Sequence, residues 1–225
     1  MKAMILAAGF GERMRPLTEH TPKPLLNVGG KPLIEYHLER LSSAGIEDVI
    51  INIAHLGDQI KEALGSGERW QLSIQYSVEP EPLETAGAIV HALPLLGNTP
   101  FLLINGDVWT DFPFSSLLST ELNNALAHLV LVDNPEHHPN GDFSIEHGLL
   151  ASKNEQAYTF AGISVLHPLL LTRYPKRRVH FPLGEVLRYF LLQQKITAED
   201  YTGQWFDIGT VDRLERLDRL LSSPC

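Results

Sequence analysis

The chain has 225 residues, 44% of them hydrophobic and 20% charged, the ordinary composition of a globular protein with one large buried core. A formal net charge of −9 excludes nonspecific DNA or RNA binding as its main business, because a polyanion could be met only through a local basic cluster or a metal. The single cysteine, Cys225, cannot build a disulfide framework or a Cys-based zinc site, which fits a reducing cytoplasm.

In chain order, residues 3–8 are a short apolar run ended by Gly9, as a buried parallel strand would be. One lysine and about six apolar residues fall short of a secretory signal, which needs roughly 7–15. No stretch approaches the roughly 18 apolar residues that read as a membrane span. Residues 32–44 carry helical apolar spacing and stop at Gly45. A second strand is expected at 48–53, a short helix at 57–64 and an alternating strand at 72–78. Residues 84–93 read as a helix and 101–105 as a fourth strand, ending in Gly106-Asp107. A helical pattern follows at 113–122 and a strand at 127–132. The polar, proline-bearing stretch 133–140 reads as a functional loop. Residues 143–145 and 158–165 read as strands and 183–193 as a helix. Asp207-Ile208-Gly209-Thr210 then introduces an amphipathic helix at 211–221. Strand and helix alternating at this spacing give an α/β fold, a sheet covered by helices on both faces, with residues 1–225 as a single domain.

The first strand runs into Gly9-Phe10-Gly11, where glycines let backbone N–H groups approach a phosphate. In open α/β sheets ligands bind beyond the carboxyl ends of the strands. Arg13, Arg15 and Lys23 concentrate positive charge there in an otherwise acidic chain, as a triphosphate would require. A dinucleotide fingerprint would place a third glycine where Met14 stands. A Walker A loop would need Ser or Thr where Pro32 follows Gly30-Lys31. Prolines on both sides of Lys23 present a flexible lysine from a stiff backbone. Asp107 and Asp207 are the candidate ligands for Mg2+, which usually takes one or two carboxylates plus substrate phosphates. Each could instead be a turn or helix-capping residue, although Thr210 is the better cap beside Asp207. His137, His138, His147, His167 and His180 show no ligand spacing and read as surface or hydrogen-bonded residues.

These segments resemble the nucleoside-diphosphate-sugar pyrophosphorylase family. The shared pattern is Leu-Ala-Ala-Gly-Phe-Gly-Glu-Arg at 6–13, Pro-Leu-Thr at 16–18 and Pro-Lys-Pro-Leu at 22–25, then Gly106-Asp107 and Asp-Ile-Gly-Thr at 207–210. The resemblance covers essentially the whole chain and implies the family's Rossmann-like mixed sheet. It implies that Ala8, Gly9, Gly11 and Glu12 line the nucleotide and that Arg13 holds the β- and γ-phosphates. Lys23 would contact the α-phosphate and the incoming sugar phosphate, and Asp107 and Asp207 would hold Mg2+. The segment 79–87 resembles the base-reading loop, with Glu79 close to the base and Glu84, Thr85 and Gly87 in the matching stretch; Asn105 joins this nucleotide set.

Within the family, 225 residues leave no room for a β-helix acetyltransferase domain. The Glu-Lys-Pro element of glucose-type enzymes is reduced here to Lys153-Asn154-Glu155. With His-Pro-Asn-Gly-Asp-Phe at 138–143, this looks like the short bacterial uridylyltransferases of N-acetylmuramate 1-phosphate, in peptidoglycan recycling. The resemblance thus implies a cytoplasmic enzyme whose partners are UTP and a sugar 1-phosphate, not nucleic acid or membrane. Asn140, Glu155 and Trp205 are its candidate sugar contacts, core packing being the alternative for Trp205 and a solvated loop carboxylate for Glu155. A glucose or mannose 1-phosphate nucleotidyltransferase and a noncatalytic nucleotide-sugar sensor are the other readings, and no oligomeric state is assigned.

Overall fold

The structure is a computed structural model that describes residues 1–222, so Cys225 lies outside the described residues. The strands are β1 (Ala3–Leu6), β2 (Asn27–Val28), β3 (Lys31–Pro32), β4 (Asp48–Ile53), β5 (Ser73–Val78), β6 (Phe101–Asn105), β7 (Val108–Thr110), β8 (Ala127–Val132), β9 (Phe143–Glu146), β10 (Leu149–Ser152), β11 (Thr159–Leu166), β12 (Ile196–Tyr201) and β13 (Trp205–Asp207). The helices are α1 (Leu33–Ser43), α2 (Gly57–Leu64), α3 (Glu84–Leu96), α4 (Leu169–Thr172), α5 (Leu183–Leu191) and α6 (Val211–Ser222). Nine strands form one mixed sheet in the order β5-β4-β1-β6-β11-β8-β12-β10-β9. β5, β4, β1 and β6 run parallel, β11 is antiparallel to β6 and β8, and β12 is parallel to β8.

Burial on both faces explains why the central strands are continuous apolar runs. Along β1, Met4 joins one core with Ile89 of α3 and Val186 and Phe190 of α5. Its neighbours Ala3 and Ile5 face the other way, against Ile34 and Leu38 of α1 and Ile60 of α2. The period of two thus sends alternate residues into two separate layers, giving helices on both faces as expected. A third cluster, Met14, Val28, Leu33, Trp109, Ile208, Leu214 and Leu217, seats α6 and the small β7-β13 ribbon beside the first strand's loop.

The strands at 48–53 and 127–132 and the helix at 57–64 have their expected bounds. The expected helix at 113–122 is instead a 3-10 segment over Phe114–Ser119, whose buried residues Phe114 and Leu117 are three apart, matching its tighter turn. α3 continues past its expected end to Leu96 with Pro94 inside it, because Leu96 anchors the last turn in the core. The sequence reading missed β10 and β12. β12 buries only Ile196 and Ala198 and alternates them with polar residues, so its apolar signal is half that of β1. β9 and β10 are joined by His147 and Gly148, both at positive φ (53° and 77°), the conformation that a two-residue hairpin turn requires.

His37 on α1 is 1% exposed and packs near Phe114. Burial pushes its pKa down to about 4, against the Val108 backbone as the polar group that favours its charged form, so the folded protein holds it neutral while the unfolded chain protonates it near 6.5. The unfolded state therefore binds more protons between those values, and stability falls as pH drops through that window, by about 1 kcal/mol per pH unit. Urea unfolding between pH 7 and pH 4.5 is expected to show a shallower pH slope for His37→Phe than for the parent; equal slopes would remove His37 from this role.

Candidate active site

Because β5, β4, β1 and β6 are parallel, their carboxyl ends lie side by side, and a cleft of ≈ 580 Å³ opens there. β1 leads directly into the loop that forms its near wall. Gly11 adopts φ 63°, a left-handed conformation that starts the 3-10 turn Glu12–Met14. Thr18 Oγ1 donates to Gly11 O at 2.8 Å, and buried Met14 pins the turn to the third cluster. No atom lies within 4 Å of where a Gly9 side chain would begin, so this backbone faces open cleft. Ala8, Gly9, Gly11, Glu12 and Arg13 all line it. Arg15 is exposed and outside the lining.

Lys23 heads a second 3-10 turn, Lys23–Leu25, closed by Leu25 N donating to Pro22 O at 2.8 Å. From this frame its Nζ reaches Asp107 Oδ2 at 2.6 Å, joining the β1 side of the cleft to the end of β6. The lysine is mostly covered, whereas the carboxylate is 39% exposed. Asp207 stands one strand away. In the β7-β13 ribbon it pairs with Val108, and Ile208 N donates to Asp107 O at 2.7 Å. Its carboxylate meets Arg213 Nη1 at 2.5 Å and His137 Nε2 at 2.9 Å. Thr210 caps α6 as expected, with Arg213 N donating to its Oγ1 at 3.4 Å. The Arg13 guanidinium lies against Gly209, within about 3.1 Å of where a side chain there would begin.

The two aspartates are therefore neighbours along the backbone, each carboxylate held by a cation, and of the two only Asp107 lines the cleft. Among the described residues no group of three or more His, Cys, Asp and Glu could hold a metal on its own. Oxygen-only donors suit a hard cation, with the rest of its shell coming from phosphates and water. Asp107 and Asp207 fit Mg2+ on those terms.

The opposite end of the cleft is acceptor-rich. Glu79 follows β5, is 3% exposed, and accepts from Asn52 Nδ2 at 2.7 Å and from Leu83 N at 3.0 Å. Burial pushes its pKa up, and the two hydrogen bonds pull it back. Glu84 opens α3, is exposed and lines the cleft. Its φ of 60° is rare for a residue with a side chain, and its carboxylate stands at the cleft wall. Thr85 also lines the cleft, while its Oγ1 accepts from Leu183 N at 2.6 Å. Asn105 lines it at the end of β6 and lies over Gly162, where β11 carries an irregularity in its pairing.

Gly87 is not on the cleft wall. It lies behind it, where Gly87 N and Ala86 N both donate to Phe181 O and a side chain would strike the Val179 carbonyl. Asn140, Glu155 and Trp205 do not line the cleft either. Asn140 and Glu155 are exposed on loops beyond β11. Trp205 is half-buried against the second core and donates its ring N–H to Ala161 O at 2.9 Å, the packing role left open as its alternative. Asn52 and Arg213 were not singled out by sequence, and His137, read there as a surface or hydrogen-bonded residue, is both. No local motif marks them, and each matters through partners 6 to 76 residues away. No helix among the described residues is long and apolar enough to cross a membrane.

A family profile described as Nucleotidyl transferase matches residues 2–223. The chain is 48% identical, over 98% of both chains, to an N-acetylmuramate alpha-1-phosphate uridylyltransferase of Neisseria meningitidis serogroup B. It is 32% identical to a mannose-1-phosphate guanyltransferase of Schizosaccharomyces pombe, covering 93% of this chain and 61% of that longer protein. A crystal structure from Bacillus anthracis, assigned to the glucose-1-phosphate thymidylyltransferases and solved with sucrose, superposes with a TM-score of 0.88. It covers 100% of this chain and 96% of the other at 24% identity, which establishes the shared fold.

Gly87→Ala is expected to lower the unfolding free energy by about 1–3 kcal/mol, the usual result of forcing a methyl into a filled space. Thermal denaturation at neutral pH checks it, and an unchanged midpoint would show that the 179–181 segment yields freely.

Proposed function

The chain belongs to the nucleotidyl transferase family, and on that premise we propose that it joins UTP to N-acetylmuramate 1-phosphate, giving UDP-N-acetylmuramate and pyrophosphate. The observation that carries the reaction class is the ion pair of Lys23 with Asp107 in a cleft that Arg13 also lines, with Asp207 next to Asp107 along the β7-β13 ribbon just outside the lining. The sugar and base assignments are supported by the 48% identity to the Neisseria uridylyltransferase over nearly the whole of both chains.

A phosphate oxygen of the sugar 1-phosphate attacks the α-phosphorus of UTP, and the bond to the β-phosphate oxygen breaks. The nucleophile is already an anion, so no general base is required. The barrier comes from bringing two anions together and from the charge that gathers on the phosphates, and positioning and electrostatics lower it. Lys23, held between two prolines, neutralises the equatorial oxygens at the α-phosphate. Arg13 holds the departing pyrophosphate, and the open backbone at Ala8, Gly9 and Gly11 with Glu12 cradles the phosphates. Asp107 and Asp207 are the residues that would hold Mg2+, which would supply Lewis-acid charge neutralisation when bound. Glu84, Thr85 and Asn105 frame the base and ribose from the cleft wall, Gly87 supports that wall from behind, and Asn140 and Glu155 on the loops beyond β11 are the sugar contacts, with Trp205 packed against the second core. Residues 1–225 act as one nucleotidyltransferase domain, in the cytoplasm where UTP is made, serving peptidoglycan recycling.

Pyrophosphate release across a panel of sugar 1-phosphates and NTPs tests this directly. The expected best pair is UTP with N-acetylmuramate 1-phosphate. A preference for GTP with mannose 1-phosphate, the reaction named for the guanyltransferase relatives, or for glucose 1-phosphate would overturn the substrate assignment. Saturable nucleotide-sugar binding without turnover on any pair would instead indicate a sensor, although Arg13, Lys23 and both aspartates are retained. Lys23→Ala and Asp107→Ala are each expected to lower kcat by about 10²-fold or more; steady-state turnover near the parent value in either variant would remove that residue from the mechanism.

A further inference from the structure

We propose that Asn52 is a positioning residue that braces the phosphate-binding loop against the base-end loop, and that Glu79 serves this brace instead of reading the nucleobase. The proposal rests on reading the cleft as a nucleoside triphosphate site. Asn52 lies near the carboxyl end of β4, between β1 and β5, and is 3% exposed. Its Oδ1 accepts from Ala7 N at 2.8 Å, at the point where β1 becomes the glycine loop. Its Nδ2 donates to Glu79 Oε1 at 2.7 Å, and Glu79 Oε2 accepts from Leu83 N at 3.0 Å, just before α3 begins. One buried chain of three hydrogen bonds therefore runs from the loop after β1, across β4, to the entrance of α3.

The direction of that chain is fixed from outside. Ala7 N–H is a backbone donor, so only the amide oxygen of Asn52 can face it, and its NH2 must face residue 79. Leu83 N–H is also a donor. Residue 79 is therefore caught between two donors and must accept twice through two different oxygens. An ionised carboxylate does so; an amide cannot, because one of its two atoms is an NH2. The backbone adds to the constraint, since Glu79 N donates to Ile53 O at 2.8 Å. Glu79 is thereby buried and doubly engaged, while Glu84, the residue after Leu83, is exposed and lines the cleft. A buried polar chain of this kind is rigid because each missing partner exposes the full desolvation cost of the other. It holds constant the distance between the loop that takes the phosphates and the loop that takes the base.

The test is a pair of polarity swaps. Asn52→Asp alone sets two carboxylates face to face, and Glu79→Gln alone turns an NH2 against one of two donors, the Asn52 NH2 or Leu83 N–H. In the double variant N52D/E79Q the direction is restored: the carboxylate introduced at 52 accepts from Ala7 N–H and from the amide introduced at 79, whose oxygen accepts from Leu83 N–H. The net charge is the same as in the parent. Each single variant is expected to raise the KM for UTP about tenfold or more with a smaller change in kcat, and the double variant to recover most of that loss. Melting temperatures should follow the same pattern, measured in parallel without nucleotide. A double variant that recovers its melting temperature but binds UTP as poorly as Glu79→Gln would overturn the proposal, because the carboxylate at 79 would then be meeting the nucleotide itself. Single variants with the parent KM would overturn it as well. Failure of the unsubstituted protein to bind UTP would sink the nucleotide reading instead, and the brace would still be judged from the melting temperatures.

Discussion

Four neighbouring strands, β5, β4, β1 and β6, run in one direction, and their carboxyl ends must then lie along one edge. That constraint decides where the chemistry can be. The loop after β1, the turn that carries Lys23, the segment after β5 and the Asp107 corner after β6 are distant in sequence but open onto the same cleft. β11 is antiparallel to β6 and closes the parallel block on that side, so the cleft ends there. The loops bearing Asn140 and Glu155 lie beyond it.

The cleft is electrically polar along its length. Arg13 and Lys23 stand at the β1-β6 end, whereas Glu79 and Glu84 stand beyond β5. In a chain of net charge −9, this arrangement sets two cations at the end of the cleft where phosphates belong. The carboxylates that would hold a metal are meanwhile satisfied by Lys23, Arg213 and His137. Such pairing neutralises each half-buried carboxylate where it stands, and of these cations Lys23 lines the cleft.

The sequence pattern was most informative where burial was symmetric. The bounds at 48–53 and 127–132 could be read because their apolar residues alternate between the two cores, leaving a nearly continuous apolar run interrupted within it only by Asn52 and His128. β12 was illegible because Thr197, Glu199 and Asp200 interrupt that run, and its place in the sheet comes from pairing with β8, about 70 residues earlier. The β7-β13 ribbon is only three residues on each strand, yet it brings Asp207 beside Asp107. The glycine loop, Lys23 and Asp107 were legible because each sits next to a strand end with its chemistry intact. Asn52 was not, since an asparagine in an apolar strand gains its role only from Ala7 and Glu79, just past the ends of the two flanking strands. Gly87 matched a motif but works behind the wall, where the chain at 179–181 presses against it.

If the cleft is a nucleotide site whose carboxylates exchange their cationic partners for a metal and phosphates, UTP and Mg2+ must bind together. The direct measurement is a calorimetric titration of UTP into the protein with and without Mg2+, repeated with Asp107→Asn. One saturable site is predicted, tighter with Mg2+ in the parent protein, with that gain largely lost in the variant. Binding that is indifferent to Mg2+, or a gain that survives in Asp107→Asn, would contradict the account.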